Sequence, residues 1–77
     1  MKYYYDIVAS ICNEICRTDS HLVCGGFDTL VDAIDYINRN NVSEVDYYQY
    51  CNDNETAYIE VEEHSDNGCI TDIIIVD

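Results

Sequence analysis

Three cysteines and a histidine crowd one short stretch of the chain: Cys12, Cys16, His21 and Cys24 follow a C-x3-C-x4-H-x2-C spacing. Three thiolates and an imidazole would make a tetrahedral zinc set. The competing reading is that alternating strand positions bury small apolar thiols, and it accounts for Cys12, Cys24, Cys51 and Cys69 at once. Asp53, Asn54 and Glu55, or Asp66, Asn67 and Gly68, offer hard oxygen ligands, but neither run has the ligand order of a calcium loop and turn chemistry accounts for both. His21 and His64 sit in no nucleophile or zinc-protease motif. His64, beside Glu62 and Glu63, reads as a surface residue near a hairpin tip. The expectation is a protein with no catalytic residues, no metal and no cofactor.

Charge is the stronger signal. Sixteen acidic residues stand against three basic ones, a formal net charge of −13 in 77 residues. Repulsion of that size works against a compact chain unless a role retains it. The abundance of Ile, Asn and Tyr is the mark of an A·T-rich coding sequence, which ordinarily encodes many lysines, yet Lys2 is the only one. With 48% apolar residues and eight tyrosines, the chain is too apolar for a disordered acidic tail. Its length fits one domain, residues 1–77, in which a single core buries ~60% of the unfolded surface. Five cysteines are an odd count for a disulfide scaffold, and Asp6 interrupts the first apolar segment where an export signal would need continuity. A cytoplasmic protein with reduced thiols is the expectation. The longest aliphatic run, Ile73 to Val76, is far short of the ~20 residues that span a bilayer, and an acidic surface is repelled by anionic lipid; no membrane role is expected.

The elements that must position the charge follow from pattern. Lys2 to Cys12 is aromatic and β-branched and predicts a first strand, with Asn13-Glu14 as a turn. Ile15 to Cys24 predicts a second, ended by Gly25-Gly26. Thr29 to Asn40 predicts a helix: Thr29 can cap it, Asp32 stands at the third helical position, and Leu30, Ala33, Ile34 and Ile37 form one apolar stripe. Val45 to Cys51 and Thr56 to His64 alternate in the strand manner. Asn67-Gly68 suits a two-residue type I′ turn into a last strand, Cys69 to Val76. That turn would set Val61 opposite Ile74 and Ile59 opposite Val76 on the helix-packed face, and Glu60 and Glu62 opposite Ile75 and Ile73 on the other. The fold class expected is α+β, a mostly antiparallel sheet of about five strands (β-β-α-β-β-β) with one helix packed on one face.

On that frame the carboxylates reach every element. Asp28, Asp32 and Asp35 recur along the helix, Glu44 and Asp46 follow it, and Glu60, Glu62, Glu63 and Asp66 belong to the last hairpin. Strand residues two apart stand ~6.6 Å apart on one face, and a DNA strand advances ~3.4 Å per phosphate, so Glu60 and Glu62 match phosphates two apart. Tyr48 and Tyr50, placed among these acids, would supply the large amphipathic contacts typical of protein interfaces. The expected partner is a basic nucleic-acid-binding protein or complex rather than nucleic acid itself.

Length, acid surplus and the strand-helix order together resemble the small acidic phage and mobile-element proteins that block bacterial defence, the anti-CRISPR and anti-restriction DNA mimics. These share no common motif, so the resemblance transfers no residue role. What it implies is a non-enzymatic inhibitor that occupies the DNA-binding surface of a defence complex, with a CRISPR effector as the favoured target. Two other readings stand beside it: a partner-binding or homodimeric regulatory domain using Ile73 and Ile75, and a zinc module built on Cys12, Cys16, His21 and Cys24.

Overall fold

The computed structural model describes residues 2–76. The described chain is α+β: four antiparallel strands, one α-helix and one 3₁₀ helix. Strands β1 (Tyr3–Cys12) and β2 (Arg17–Phe27) form a hairpin. Helix α1 (Leu30–Arg39) and the 3₁₀ helix (Glu44–Tyr50) follow, and strands β3 (Thr56–Ser65) and β4 (Ile70–Val76) close the chain as a second hairpin. The sheet order is β2-β1-β3-β4, so the two hairpins join through β1 and β3 at the centre.

The β1–β2 turn rests on Asn13, whose side chain accepts from the backbone N–H groups of Ile15 and Cys16, both at 2.8 Å. Such Asx turns give the chain a local alternative to the strand ladder. Where Gly25-Gly26 is expected to end β2, the strand instead runs on to Phe27. The pair forms a bulge, with Tyr5 opposite Phe27 and Ile7 opposite Cys24. Gly26 adopts a φ of +82°, and a Cβ on Gly25 would lie 2.5 Å from Asp6 Oδ1. Here glycine marks a close approach rather than a stop.

Helix α1 forms where its pattern predicts. Thr29 is the N-cap, its side chain accepting from the Asp32 N–H at 3.1 Å, and Asn40 is the C-cap. Ala33 and Ile37 are buried against Ile7, Ala9, Ile59 and Val61 of the sheet, with Leu30, Tyr36, Val23, Phe27, Tyr47, Ile74 and Val76 packed around them. The core thus lies on one face of the sheet.

Residues 45–51 are a correction. They form no strand; Glu44–Tyr50 is a 3₁₀ helix, which leaves four strands rather than five. Ser43 caps it, its hydroxyl accepting from the Val45 N–H at 3.3 Å. The Asp46 N–H bonds the Ser43 carbonyl at 3.3 Å, and Gln49 Nε2 reaches the Asp46 carbonyl at 3.1 Å. Three residues per turn bring Tyr47 and Tyr50 to one side, with ring centroids 6.1 Å apart.

The last hairpin keeps its expected register: Ile59 faces Val76, Glu60 Ile75, Val61 Ile74 and Glu62 Ile73. Its turn differs. The Gly68 N–H donates to the Ser65 carbonyl at 2.8 Å, so Asp66 and Asn67 are the central residues and Gly68, with φ +86°, follows them. A type I′ turn needs positive φ at both central positions, and Asn41 is the one non-glycine residue with positive φ among those described. A register shift between Glu63 and His64 then restores the predicted pairing.

Removing the α1 cap with Thr29→Ala should cost about 1 kcal/mol, and Ile37→Ala about 3 kcal/mol through the cavity it leaves. Urea unfolding followed by circular dichroism checks both values and their order.

Candidate functional site

Cross-strand rows define the face of the sheet opposite the helix. Leu22, Val8, Glu60 and Ile75 form one row, and Asp6, Glu62 and Ile73 the next. Tyr4 and His64 follow, their rings stacked at 4.8 Å. The core cluster puts α1 and Tyr47 of the 3₁₀ helix on the other face.

This helix-free face is not the open acidic ladder expected of Glu60 and Glu62. Both are buried, at 8% and 7% exposure, because Arg17 reaches across from β2. Its Nη2 lies 3.0 Å from Glu60 Oε1 and its Nη1 3.1 Å from Glu62 Oε2. The Ser10 hydroxyl also donates to Glu60. Partial burial works against the guanidinium charge, yet its hydrogen bonds to Glu62 and Glu60 outweigh this and raise its pKa above the ordinary arginine value.

His64, expected at the surface, is buried too. Its Nε2 lies 3.2 Å from Glu62 Oε1 and 3.5 Å from Asp6 Oδ2, and its Nδ1 lies 3.4 Å from the Gly68 carbonyl. Asp6 is held from behind, its Oδ1 accepting from the Gly26 N–H at 2.9 Å. Ser10, Glu60, Arg17, Glu62, His64 and Asp6 therefore form one continuous polar chain across three strands. Glu63 points to the opposite face and is likewise engaged, accepting from the Tyr5 hydroxyl at 3.0 Å and from Thr71 Oγ1 at 2.7 Å. The Glu63 hydrogen bond, and then burial, push the Tyr5 phenol up.

Exposed acids lie on the helix layer and also off it, at Glu14, Asp19, Asp53 and Asp72. Asp28 and Asp32 are exposed and Asp35 half-buried; with Gly26, Phe27, Tyr36, Arg39 and Asn40 they line a shallow groove. Arg39 pairs with Asp35 one turn away. On the 3₁₀ helix Asp46 is exposed and Glu44 half-buried, beside Tyr48 and Tyr50, which are 48% and 50% exposed. Tyr47 turns inward, and burial, then Asp46, push its phenol up. The His21 ring stacks on Tyr50 at 4.4 Å. Asp66 is exposed at the tip of the second hairpin. Of the three basic residues, Arg17 and Arg39 are taken up by the chain's own carboxylates.

The comparisons with known proteins add no relative. The chain matches no protein-family model, no curated protein and no solved structure.

Cys12, Cys16, His21 and Cys24 do not come together. Cys12 shares the helix-free face with Arg17, whereas His21, paired with Ala9, stacks on the 3₁₀ helix. No group of three His, Cys, Asp or Glu side chains among the described residues is placed to hold a metal ion. Burial, then the Glu60 carboxylate, push the Cys12 thiol up despite Arg17, which disfavours the thiolate that metals and electrophiles need. No helix among the described residues is long and apolar enough to cross a membrane.

Sequence reasoning missed Arg17, Asp6 and His64. The readable signal was Glu60-x-Glu62-x-His64, three ionisable groups on one strand face, opposite a hairpin carrying a single cation.

Arg17→Met should destabilise the fold by about 2 kcal/mol, because two carboxylates lose their cation while one third of the guanidinium was in water. Adding Glu60→Gln and Glu62→Gln to that variant should recover most of the loss in urea melts. Glu55 gives a pH-dependent companion test. The Thr18 hydroxyl, then the Asn52 backbone N–H, hold its carboxyl below the ordinary range. A depressed folded-state value stabilises above the unfolded value and loses that contribution as pH falls through the folded one. Glu55→Gln should thus lower the urea midpoint at pH 7, with the deficit closing under strongly acid conditions.

Proposed function

We propose that this protein is a non-enzymatic inhibitor that imitates nucleic acid and occupies the DNA-binding surface of a bacterial defence complex, a CRISPR effector being the favoured target, in the cytoplasm of a host cell. The observation that carries the reading is the unneutralised acid on the helix layer, interleaved with exposed tyrosine. Asp28, Asp32, Asp46 and Asp66 stand exposed, with Asp35 and Glu44 at their margin and Tyr48 and Tyr50 among them. Carboxylates so arranged suit the Lys and Arg side chains that normally meet phosphates, and half-exposed tyrosines add contact area with a hydrogen-bonding tip.

The docking set differs from the one the sequence suggests. Glu60 and Glu62 are committed to Arg17 and Glu63 to Tyr5 and Thr71. A basic partner would have to break those contacts to use them, at a cost that the exposed carboxylates do not carry. The working surface of the proposal is therefore Asp28, Asp32, Glu44 and Asp46 with Tyr48 and Tyr50, joined by Asp35 where a partner displaces its exposed pair with Arg39, and by Asp66 at the tip of the second hairpin.

Association between opposite charges is fast and weakens as salt rises. The test is affinity capture from bacterial lysate, eluted with salt steps and separately with duplex DNA. The proposal expects one nucleic-acid-binding complex that DNA displaces. Scattered basic proteins leaving together at low salt would contradict it. Joint Asp28→Asn, Asp32→Asn and Asp46→Asn should weaken the captured complex at least about tenfold and flatten its salt dependence, with circular dichroism unchanged.

A further inference from the structure

We propose that the helix-free face of the sheet is the contact surface of a homodimer, in which two copies of this chain pack sheet on sheet about a two-fold axis parallel to the strands. An antiparallel sheet covered on one side only ordinarily presents polar groups on the other. Here the uncovered face is apolar at both margins. Leu22 on β2 is 68% exposed, and Ile73 and Ile75 on β4 are 43% and 60% exposed. Between these margins lies the strip of Asp6, Arg17, Glu60, Glu62 and His64, whose polar atoms are already joined to one another.

Charge selects the occupant. The face holds three carboxylates against one guanidinium, while the chain as a whole carries −13, so most of the repulsion between two copies originates elsewhere. A second copy meets least resistance here. A basic partner gains least here, since the carboxylates of this face are engaged. The area is modest: four strands ~4.8 Å apart and about eight residues long at ~3.3 Å each give roughly 400–500 Å², below the ~600–1,000 Å² per partner of a standard interface, so the contact belongs to the weak class.

The two-fold axis makes the margins complementary. Rotation about an axis along the strands lays the β2 edge of one copy over the β4 edge of the other, so Leu22 meets Ile75 of the second copy twice, and the polar strips face each other at the centre. Both acidic helix layers then point outward on opposite sides of the dimer.

Sedimentation equilibrium of the purified wild-type chain tests this. A dimer is expected, and raising salt from ~50 to ~500 mM should strengthen it by screening like charges, opposite in sign to binding of a basic partner; failure of one proposal is therefore distinguishable from failure of the other. Leu22→Lys and Ile75→Asp change exposed side chains and should each give monomers with unchanged circular dichroism. An equimolar mixture of the two variants should re-form a dimer, because one of its two margin contacts becomes a Lys–Asp pair and the other stays native. A wild-type chain still monomeric at about 0.5 mM, which leaves only Kd values of a millimolar or weaker, would overturn the proposal. So would a dimer broken by Ile75→Asp but indifferent to Leu22→Lys, which would place the contact along the β4 edge, or a mixture that stays monomeric.

Discussion

The ion pairs between Arg17 and the two buried glutamates of β3 decide what each side of this molecule can be. A strand with glutamate at alternate positions in the middle of a sheet ordinarily exposes them to water. Here the one cation of β2 lies across β1 and takes both, while Ser10 donates to the same Glu60 oxygen that Arg17 meets and His64 engages the second oxygen of Glu62. Desolvated carboxylates without such partners would be costly. The bulge at Gly25-Gly26 belongs to the same arrangement, because absence of a side chain at Gly25 leaves room for the Asp6 carboxylate that reaches His64.

The consequence is a two-sided domain. On the sheet side, charge is spent internally and aliphatic side chains border the neutralised strip. On the helix side, α1 and the 3₁₀ helix turn apolar residues inward to Ile7, Ala9, Ile59 and Val61 and leave aspartates and tyrosines outward. The core itself is small, and its largest fully buried side chains are Ile7, Ile11 and Val61. A domain with so thin an interior keeps a large net charge only at some cost to stability, which is why the placement of the charge carries the functional reading.

Much of the fold was legible in the sequence, for local reasons. The cap at Thr29, the helical stripe through Ala33 and Ile37, the Asn13 turn and the hairpin pairing of Glu60 with Ile75 are all short-range patterns whose physics is complete within a few residues. The 3₁₀ helix was misread because Val45, Tyr47 and Tyr48 satisfy strand propensity, while the competing signal, Ser43 with Asp46 three residues on, is a helix-start pattern that outweighed it. The site was less legible. Whether Glu60 and Glu62 face water depends on a cation more than forty residues earlier, and Arg17 meets them only through the β1–β3 pairing that joins the two hairpins. No local pattern encodes that contact.

The central claim is that the negative surface available to a basic partner is the helix layer and not the sheet face. The most direct measurement is a backbone amide chemical-shift titration of isotope-labelled protein with a short arginine-rich peptide as the probe. The account predicts that the shifted amides gather at Asp28, Asp32, Asp35, Glu44, Asp46, Tyr48 and Tyr50, with those of Glu60, Glu62, Ile73 and Ile75 unmoved. Shifts concentrated instead on β3 and β4 of the helix-free face would contradict it.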